Sequence, residues 1–310
     1  MTRYLISGPS GLVGSCIIDK LKDENKTNSF VLLTRNKVSV IDKYANDNNK
    51  EVIDWDDLCT REINDIDYVI HTAAPTDSSY FVNYPVETID SIYKCTKLLL
   101  DKVGKKVKSF IYISSMEVYG SLISEQKVRE SDSGPLSLTS TRSSYPLAKQ
   151  LSELLCYSYF REYNIPVKIA RPTLVIPEIY AKTDNRLIPY ALRCIEKGND
   201  IVLNTDGESK RDYISSRDLA SALMLILEKG NNGETYNISN EETFCSINQM
   251  LEILLREKRA TDIKIRHVIN EKTKFYPKKQ QICLDSSKLK NIGWKPEDTL
   301  NEMFRKVHLY

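Results

Sequence analysis

The sequence predicts an α/β chain, a doubly wound parallel sheet joined to a smaller C-terminal α/β lobe that selects the substrate. Three observations lead there. Continuously apolar, strand-length runs alternate with helix-length stretches through the first two-thirds of the chain. The first run, RYLIS, leads directly into a glycine-rich loop from Ser7 to Gly14. The 310 residues exceed an ordinary single domain, and 41% of them are hydrophobic, enough for one large core or two coupled ones.

Taken in order, RYLIS, FVLLT, YVIHT, SFIYIS and VKIAR read as buried strands whose two faces are covered by helices. Between them, LVGSCIIDKLKDE, VETIDSIYKCTKLLLDKV and SYPLAKQLSELLCYSYFREY carry helical periodicity. That alternation implies βαβ units. NKTNSF and ANDNNKE read as polar loops. After Arg171-Pro172 the rhythm loosens: PEIYAKTDNRLIP reads as loop, and DIVLN, ETYNIS and DIKIRHV read as short strands of the second lobe. Residues 1–172 are expected to form a dinucleotide-binding domain, with return segments around 211–240, and residues 173–310 the substrate lobe.

A net charge of +2 and a pI near 8.0 are too mild to argue for nucleic acid or a membrane surface as partner. Apolar runs fall far short of the roughly 20 residues a membrane span needs. Met1 leads straight into a strand with no signal peptide, so a cytoplasmic protein is expected. The seven cysteines are scattered and never spaced C-x-x-C, which reads as reduced thiols. His71, His267 and His308 give no ligand spacing, so no metal is expected.

Glycines at 8, 11 and 14 after a strand place bare amides at a helix N-terminus, where a pyrophosphate can be held. The spacing G-x-x-G-x-x-G differs from the G-x-G-x-x-G fingerprint, and a plain strand-to-helix turn would also explain it. Context favours the cofactor. The next strand ends in Leu33-Thr34-Arg35-Asn36, with no acidic residue to accept a ribose 2′-hydroxyl. Arg35 could instead meet a 2′-phosphate, or be a solvated surface arginine, and the reading prefers NADP with NAD still open.

Farther on, Ser114 to Gly120 (SSMEVYG) ends a strand and Tyr145 to Lys149 (YPLAK) opens a helix. Tyrosine and lysine at i and i+4 share a helix face, and an ammonium beside a phenol lowers its pKa. With a serine hydroxyl on the same oxygen, the three suit hydride chemistry at a carbinol carbon.

These motifs together resemble the extended short-chain dehydrogenase/reductases, in the NAD-dependent epimerase/dehydratase family that modifies nucleotide sugars. The resemblance runs from GPSGLVG through DYVIHTAAPT, FIYISSMEVYG, SSYPLAKQLSE and GESKRDYISSRDLA to LDSSKLKNIGWKP. It implies a Rossmann-type sheet and a catalytic set of Ser115, Tyr145 and Lys149. Gly8, Ser10, Gly11, Leu12, Val13 and Gly14 would line the cofactor, with Arg35, Asn36, Asp54, Ala73, Ala74, Tyr145, Lys149 and Pro172. Thr76, Ser115, Thr173, Arg186 and Arg211 are expected at the substrate. Arg211 suits a diphosphate, although a helix cap or interlobe salt bridge would also use it. His71 is expected to be structural, and Trp294 a packing residue of the C-terminal lobe. Relatives often dimerise through helices like 84–104 and 143–164, so a homodimer is expected.

Departures from the family pattern matter as much. Where dehydratases carry an acidic pair after the catalytic serine or threonine, this chain has Met116-Glu117, so a donor to a leaving hydroxyl is missing. Glu117 could act as a base or be a strand-end glutamate. Ile92 stands where the family has an asparagine, and Leu174 and Pro177 alter the pocket after Arg171. On these grounds the first expectation is an NAD(P)-dependent reductase of a keto-sugar linked to a nucleoside diphosphate. The alternative is a redox-neutral epimerase, dehydratase or decarboxylase with tightly bound NAD, and a non-enzymatic dinucleotide sensor is the third.

Overall fold

A computed structural model describes residues 2–103, 107–269 and 279–310. Six strands alternate with helices along the first half: β1 (Arg3–Ser7), β2 (Ser29–Leu33), β3 (Lys50–Ile53), β4 (Tyr68–His71), β5 (Ser109–Ile113) and β6 (Val167–Pro172). The helices are α1 (Leu12–Glu24), α2 (Lys37–Lys43), α3 (Trp55–Thr60), α4 (Ser78–Asn83), α5 (Pro85–Val103) and α6 (Ser144–Tyr163). The rest of the chain contributes β7 (Leu174–Ile176), β8 (Ile179–Tyr180), β9 (Ile201–Leu203), β10 (Lys210–Ser215), β11 (Thr235–Ile238) and β12 (Asn240–Ser246). It ends with β13 (Ile265–His267), β14 (Gln281–Ile282) and β15 (His308–Leu309). Five helices accompany these strands: α7 (Leu187–Lys197), α8 (Ser216–Lys229), α9 (Ile247–Glu257), α10 (Ser287–Asn291) and α11 (Leu300–Lys306).

The main sheet has seven parallel strands in the order β11-β6-β5-β4-β1-β2-β3, reversing direction of progress beside β1 as a doubly wound sheet does. Every residue of β2 and β5 is buried, which explains why both read as unbroken apolar runs. One face packs on α1 and α8 through Ile17, Ile18, Leu21, Leu219, Leu223 and Ile226. The other packs on α5 and α6 through Leu99, Leu100 and Cys156.

Three expectations need correction. ETYNIS, read as a short strand of the second lobe, lies instead in the return segment expected around 211–240: as β11 it pairs with β6 and closes the edge of the main sheet, Tyr236 packing beside Ala170. ANDNNKE is not all loop, because Lys50 and Glu51 enter β3, an edge strand whose polar side chains stay half-exposed. PEIYAKTDNRLIP contains β8, paired with β15 at the chain's end, and the first turn of α7, neither marked by a local periodic pattern.

The smaller lobe gathers β10 with β7, β12 and β14, and a second core of Ile176, Tyr213, Leu251, Leu254, Met303 and Phe304. Strand β10 follows β7 in parallel, Tyr213 opposite Leu174, and so carries the second lobe against the C-terminal ends of the main strands. The expected dimer helices appear as α5 and α6, packed together; residue 104, the end of the first, lies outside the described residues.

Candidate active site

The loop after β1 is shaped by its three glycines in different ways. Gly8 has φ +70°, a left-handed conformation that glycine adopts without a Cβ penalty, and a Cβ there would stand 2.8 Å from the Thr72 hydroxyl. A Cβ on Gly14 would lie 2.2 Å from the Gly8 carbonyl oxygen, so glycine lets α1 start against the loop. Gly11 is the N-cap of α1, and a Cβ there would meet only the Gly8 oxygen, at 3.4 Å. No side chain caps the helix and no acidic residue lies in its first turn, so the amides of Leu12, Val13 and Gly14 are left for an anion. An open helix N-terminus with a cradle that a larger residue would fill fits a dinucleotide pyrophosphate.

The strand ends beside that loop are locked to each other. Ser7 Oγ accepts from the amides of Thr72 (3.1 Å) and Ala73 (3.2 Å) and sits 2.6 Å from His71 Nδ1. His71 Nε2 lies 2.9 Å from Thr96 Oγ1, whose own proton goes to the Ile92 carbonyl, so the network places the ring proton on Nε2. Burial pushes His71 down to about 3, with Lys149 as the lesser cause, and a neutral ring serves structure.

Among the other residues expected at the cofactor, Arg35 is exposed and has no carboxylate partner among the described residues. It borders a cavity of about 380 Å³ with Ala74, Thr76, Asp77, Tyr80 and Tyr84. Asn36 caps α2, accepting from the Ser39 amide. Asp54 caps α3 in a capping box with Asp57, and both carboxylates meet Lys37 at 2.8 Å. The Ser10 carbonyl lies 3.4 Å from Lys43 Nζ. Pro172 is buried at the end of β6.

The residues expected to react converge where β5 and α6 meet. Ser115, in extended conformation after β5, caps a short 3-10 turn (Met116–Tyr119), its hydroxyl accepting from the Glu117 amide at 3.2 Å and lying close enough to Tyr145 to act on the phenol. Tyr145 and Lys149 lie one turn apart on α6, both buried. Lys149 Nζ donates to the Ile113 carbonyl at 2.7 Å and stands 4.8 Å from the centre of the Tyr112 ring.

Their electrostatics differ from the sequence expectation. Burial raises Tyr145 above its ordinary value, the Glu117 charge adds to that, and the Ser115 hydrogen bond and Arg142 oppose it. Burial also pushes Lys149 down to about 7, against Glu153, so its ammonium does not dominate the phenol. The reason is geometric: the ammonium is spent on Ile113, and Phe81 of α4 stacks on the Tyr145 ring at 4.3 Å and excludes water.

Phe81 and Arg142 are the residues that sequence reading missed. Arg142 ends its guanidinium 5.1 Å from the Phe81 ring centre and bonds Glu117 at 2.8 Å through Nη2. Its place three residues before Tyr145, in the 3-10 turn (Thr141–Ser143) that leads into α6, is a signal that could have found it. Phe81 lies in a six-residue helix with no pattern of its own. Glu117 thus stands in the site as one half of an ion pair beside the phenol. Met116, before it, is buried with its sulfur 3.5 Å from Thr173 Oγ1.

Among the residues expected at the substrate, Thr173 is buried and its hydroxyl donates to Asp212, at 2.8 Å to the carbonyl and 2.5 Å to the carboxylate. Arg211, the residue before, has a buried Nε with no partner, as an arginine awaiting an anion would. Arg186 caps α7, forks onto Asp184, and lies over the Tyr180 ring at 5.4 Å. Trp294 packs in the main core rather than that of the C-terminal lobe, held there by α8, to whose Ser221 it donates at 3.1 Å. Among the described residues no cluster of His, Cys, Asp or Glu is placed to hold a metal, and no helix is long and apolar enough to cross a membrane.

Comparison with known proteins matches residues 4–239 to the NAD dependent epimerase/dehydratase family. The chain is 26% identical to UDP-glucuronic acid decarboxylase 3 of Arabidopsis thaliana, over 97% of this chain and 86% of that one. It is 25% identical to dTDP-D-glucose 4,6-dehydratase of Mus musculus, over 98% and 87%. Its fold is shared with UDP-glucuronic acid 4-epimerase from Bacillus cereus, solved with UDP-glucuronic acid and NAD, at a TM-score of 0.81 and 21% identity over 98% and 97% of the two chains.

Proposed function

Because this chain belongs to the NAD dependent epimerase/dehydratase family, we propose that it is a redox-neutral nucleotide-sugar enzyme that retains NAD through its cycle. Decarboxylation of a nucleotide-linked uronic acid is the favoured step. The names of the relatives support this alternative more than the net reduction expected first. The carrying observation is the pair after the catalytic serine: a buried, proton-less Met116, then Glu117 held in an ion pair by Arg142.

A bound nicotinamide supplies a hydride acceptor that can give back what it takes. The chain's own residues do the rest. Gly11, Leu12, Val13 and Gly14 would hold the pyrophosphate, Lys149 the nicotinamide ribose, and Arg211 the substrate diphosphate. Tyr145 would take the hydroxyl proton as the sugar carbon is oxidised and return it at the end, with Ser115 orienting that oxygen. Once a ketone stands beside the carbon that bears the carboxylate, carbon dioxide leaves as a neutral molecule. The electron pair is received at an oxygen already hydrogen-bonded by Tyr145 and Ser115, and the carbon that lost the carboxylate then takes up a proton from water before the ketone is reduced back. That step needs no acid for the leaving group. Loss of water does, and Met116 cannot supply one.

The test is incubation of the purified protein with UDP-glucuronic acid, and separately with dTDP-glucose, followed by product mass and NADH readout. The expected result is loss of carbon dioxide from the uronate without net NADH change. Tyr145→Phe should lower turnover by roughly 10²–10⁴ and Glu117→Gln by within about tenfold. Loss of water from dTDP-glucose, or a Glu117→Gln defect as deep as that of Tyr145→Phe, would move the reading to a dehydratase or an enolising epimerase.

A net NADPH-dependent reductase remains the second reading, and Arg35 favours it. An exposed guanidinium at the end of β2, where an acidic residue would select NAD, suits a 2′-phosphate. Stoichiometric NADPH oxidation with a nucleotide keto-sugar would establish it. A homodimer through α5 and α6 is proposed as well, because Val86, Ile89, Leu151, Leu154 and Tyr157 expose apolar side chains on that helix pair. Sedimentation of the protein and of Leu154→Glu tests it, the variant being expected to run as a monomer.

A further inference from the structure

Beneath the reacting residues lies a buried ion pair to which the proposed mechanism gives no role. Glu153 follows Lys149 by one turn of α6 and is 7% exposed. Arg171, from β6, grips both its oxygens: Nε to Oε1 at 2.9 Å and Nη2 to Oε2 at 2.6 Å. The other end of the guanidinium donates to the Tyr119 hydroxyl and the Glu130 carbonyl, both at 2.9 Å, and stacks 4.9 Å from the Tyr119 ring centre. The fork is therefore fixed on every side.

We propose that Glu153, clamped by Arg171, is a positioning residue for Lys149, keeping the ammonium charged without capturing it. The inference rests on the reading of Lys149 as the holder of the cofactor ribose. A carboxylate four residues along a helix ordinarily draws a lysine into a direct pair. Here both carboxylate oxygens are occupied by the fork, and Lys149 turns instead to the Ile113 carbonyl at the end of β5, toward the cofactor loop. The negative charge nonetheless stays one turn away in a low-dielectric interior, where it acts over distance.

The remaining neighbours of Lys149 offer no substitute. Tyr145 and Cys156 on α6 are buried and held neutral by that burial. Tyr112 on β5 presents a ring face, and His71 on β4 is neutral. Burial works against the ammonium, and Glu153 is the largest influence opposing it.

The experiment measures NAD affinity by calorimetry across pH 6 to 9, with NADPH in parallel, and needs no sugar substrate. Wild-type affinity should weaken as pH rises through the Lys149 titration. Glu153→Gln should move that break to lower pH by about one unit. Arg171→Gln frees the carboxylate to support the ammonium directly and should move the break upward. Opposite shifts are the signature, since a pair that merely held the fold together would weaken binding in both variants with the break unmoved. If either single variant fails to fold for want of a partner charge, Glu153→Gln combined with Arg171→Met leaves no charge unpaired and should shift the break downward. Lys149→Met separates the two readings. If it leaves binding and its break unchanged, the cofactor assignment of Lys149 falls and the proposal with it. If it abolishes the break while no Glu153 or Arg171 variant moves it, the proposal alone is wrong.

Discussion

The two ends of the cleft are built on different principles. At the proposed cofactor end the groups offered for recognition are backbone: the Gly8–Gly14 loop, the uncapped start of α1 and the amides after β4 locked by Ser7. At the proposed substrate end they are side chains brought together from distant segments: Phe81 from α4, Glu117 after β5, Arg142 from the 3-10 turn before α6, Tyr145 from α6 and Arg211 from β10. A backbone site is written in a few consecutive residues. A convergent site is written only in the fold.

The largest expected effect tests whether the cofactor end is a matter of backbone. Gly14→Ala puts a Cβ within 2.2 Å of the Gly8 oxygen, a backbone atom that cannot swing aside. The variant should lose about 3 kcal/mol of stability in denaturant unfolding, the upper end for overpacking, and cofactor binding with it. Gly11→Leu should keep its stability, because a Cβ there meets only one atom at 3.4 Å, yet lose cofactor affinity in calorimetry. Equal stability losses in both, or unchanged affinity in Gly11→Leu, would break the distinction.

That contrast also accounts for what the sequence made legible. Strands buried on both faces read as unbroken apolar runs, so β1, β2, β4, β5 and β6 and the three long helices between them were readable. Tyr145 and Lys149 were readable because i and i+4 share a helix face in any context. Strand β11 fell within the expected return segment around 211–240 yet was also read with the second lobe, because pairing with β6 is a tertiary choice that the residues Thr235–Ile238 do not encode locally. The Tyr145–Lys149 electrostatics were misread for a similar reason: burial under Phe81 and the Ile113 carbonyl decide them, and neither lies nearby in sequence.

Arg35 sits between the two cases, a side chain on the backbone-built end. If it reads a 2′-phosphate, Arg35→Ala should weaken NADPH by about 1.5–3 kcal/mol, as expected for a lost charged hydrogen bond, and leave NADH nearly unchanged. Calorimetry with both cofactors checks it. Equal losses, or none, would leave NAD as the cofactor and Arg35 as a surface residue.

The smallest effect is a pair of opposed titrations, one at each end. His71 is neutral beneath the cofactor loop, pushed down to about 3 by burial, against about 6.5 unfolded. Asp212 is buried beneath the substrate end and pushed up by burial to about 6, against about 3.9 unfolded. Between roughly pH 6.5 and 3 the unfolded chain binds a proton on His71 that the folded protein refuses, so this group removes stability as pH falls. Between roughly pH 6 and 4 the folded protein holds a proton on Asp212 that the unfolded chain has released, so this group adds stability as pH falls. Each contributes about 1.4 kcal/mol per pH unit, with opposite sign, and over pH 4 to 6 they nearly cancel. Removing one should uncover the other. Asp212→Asn should lose stability on acidification more steeply than wild type by about 1 kcal/mol per pH unit, and His71→Asn less steeply by a similar amount. Urea unfolding at half-unit steps measures these slopes, and comparing slopes removes whatever constant cost each substitution imposes on packing. Parallel slopes in all three proteins would mean that neither group is held away from its unfolded titration, and that the two ends of the cleft do not differ in this respect.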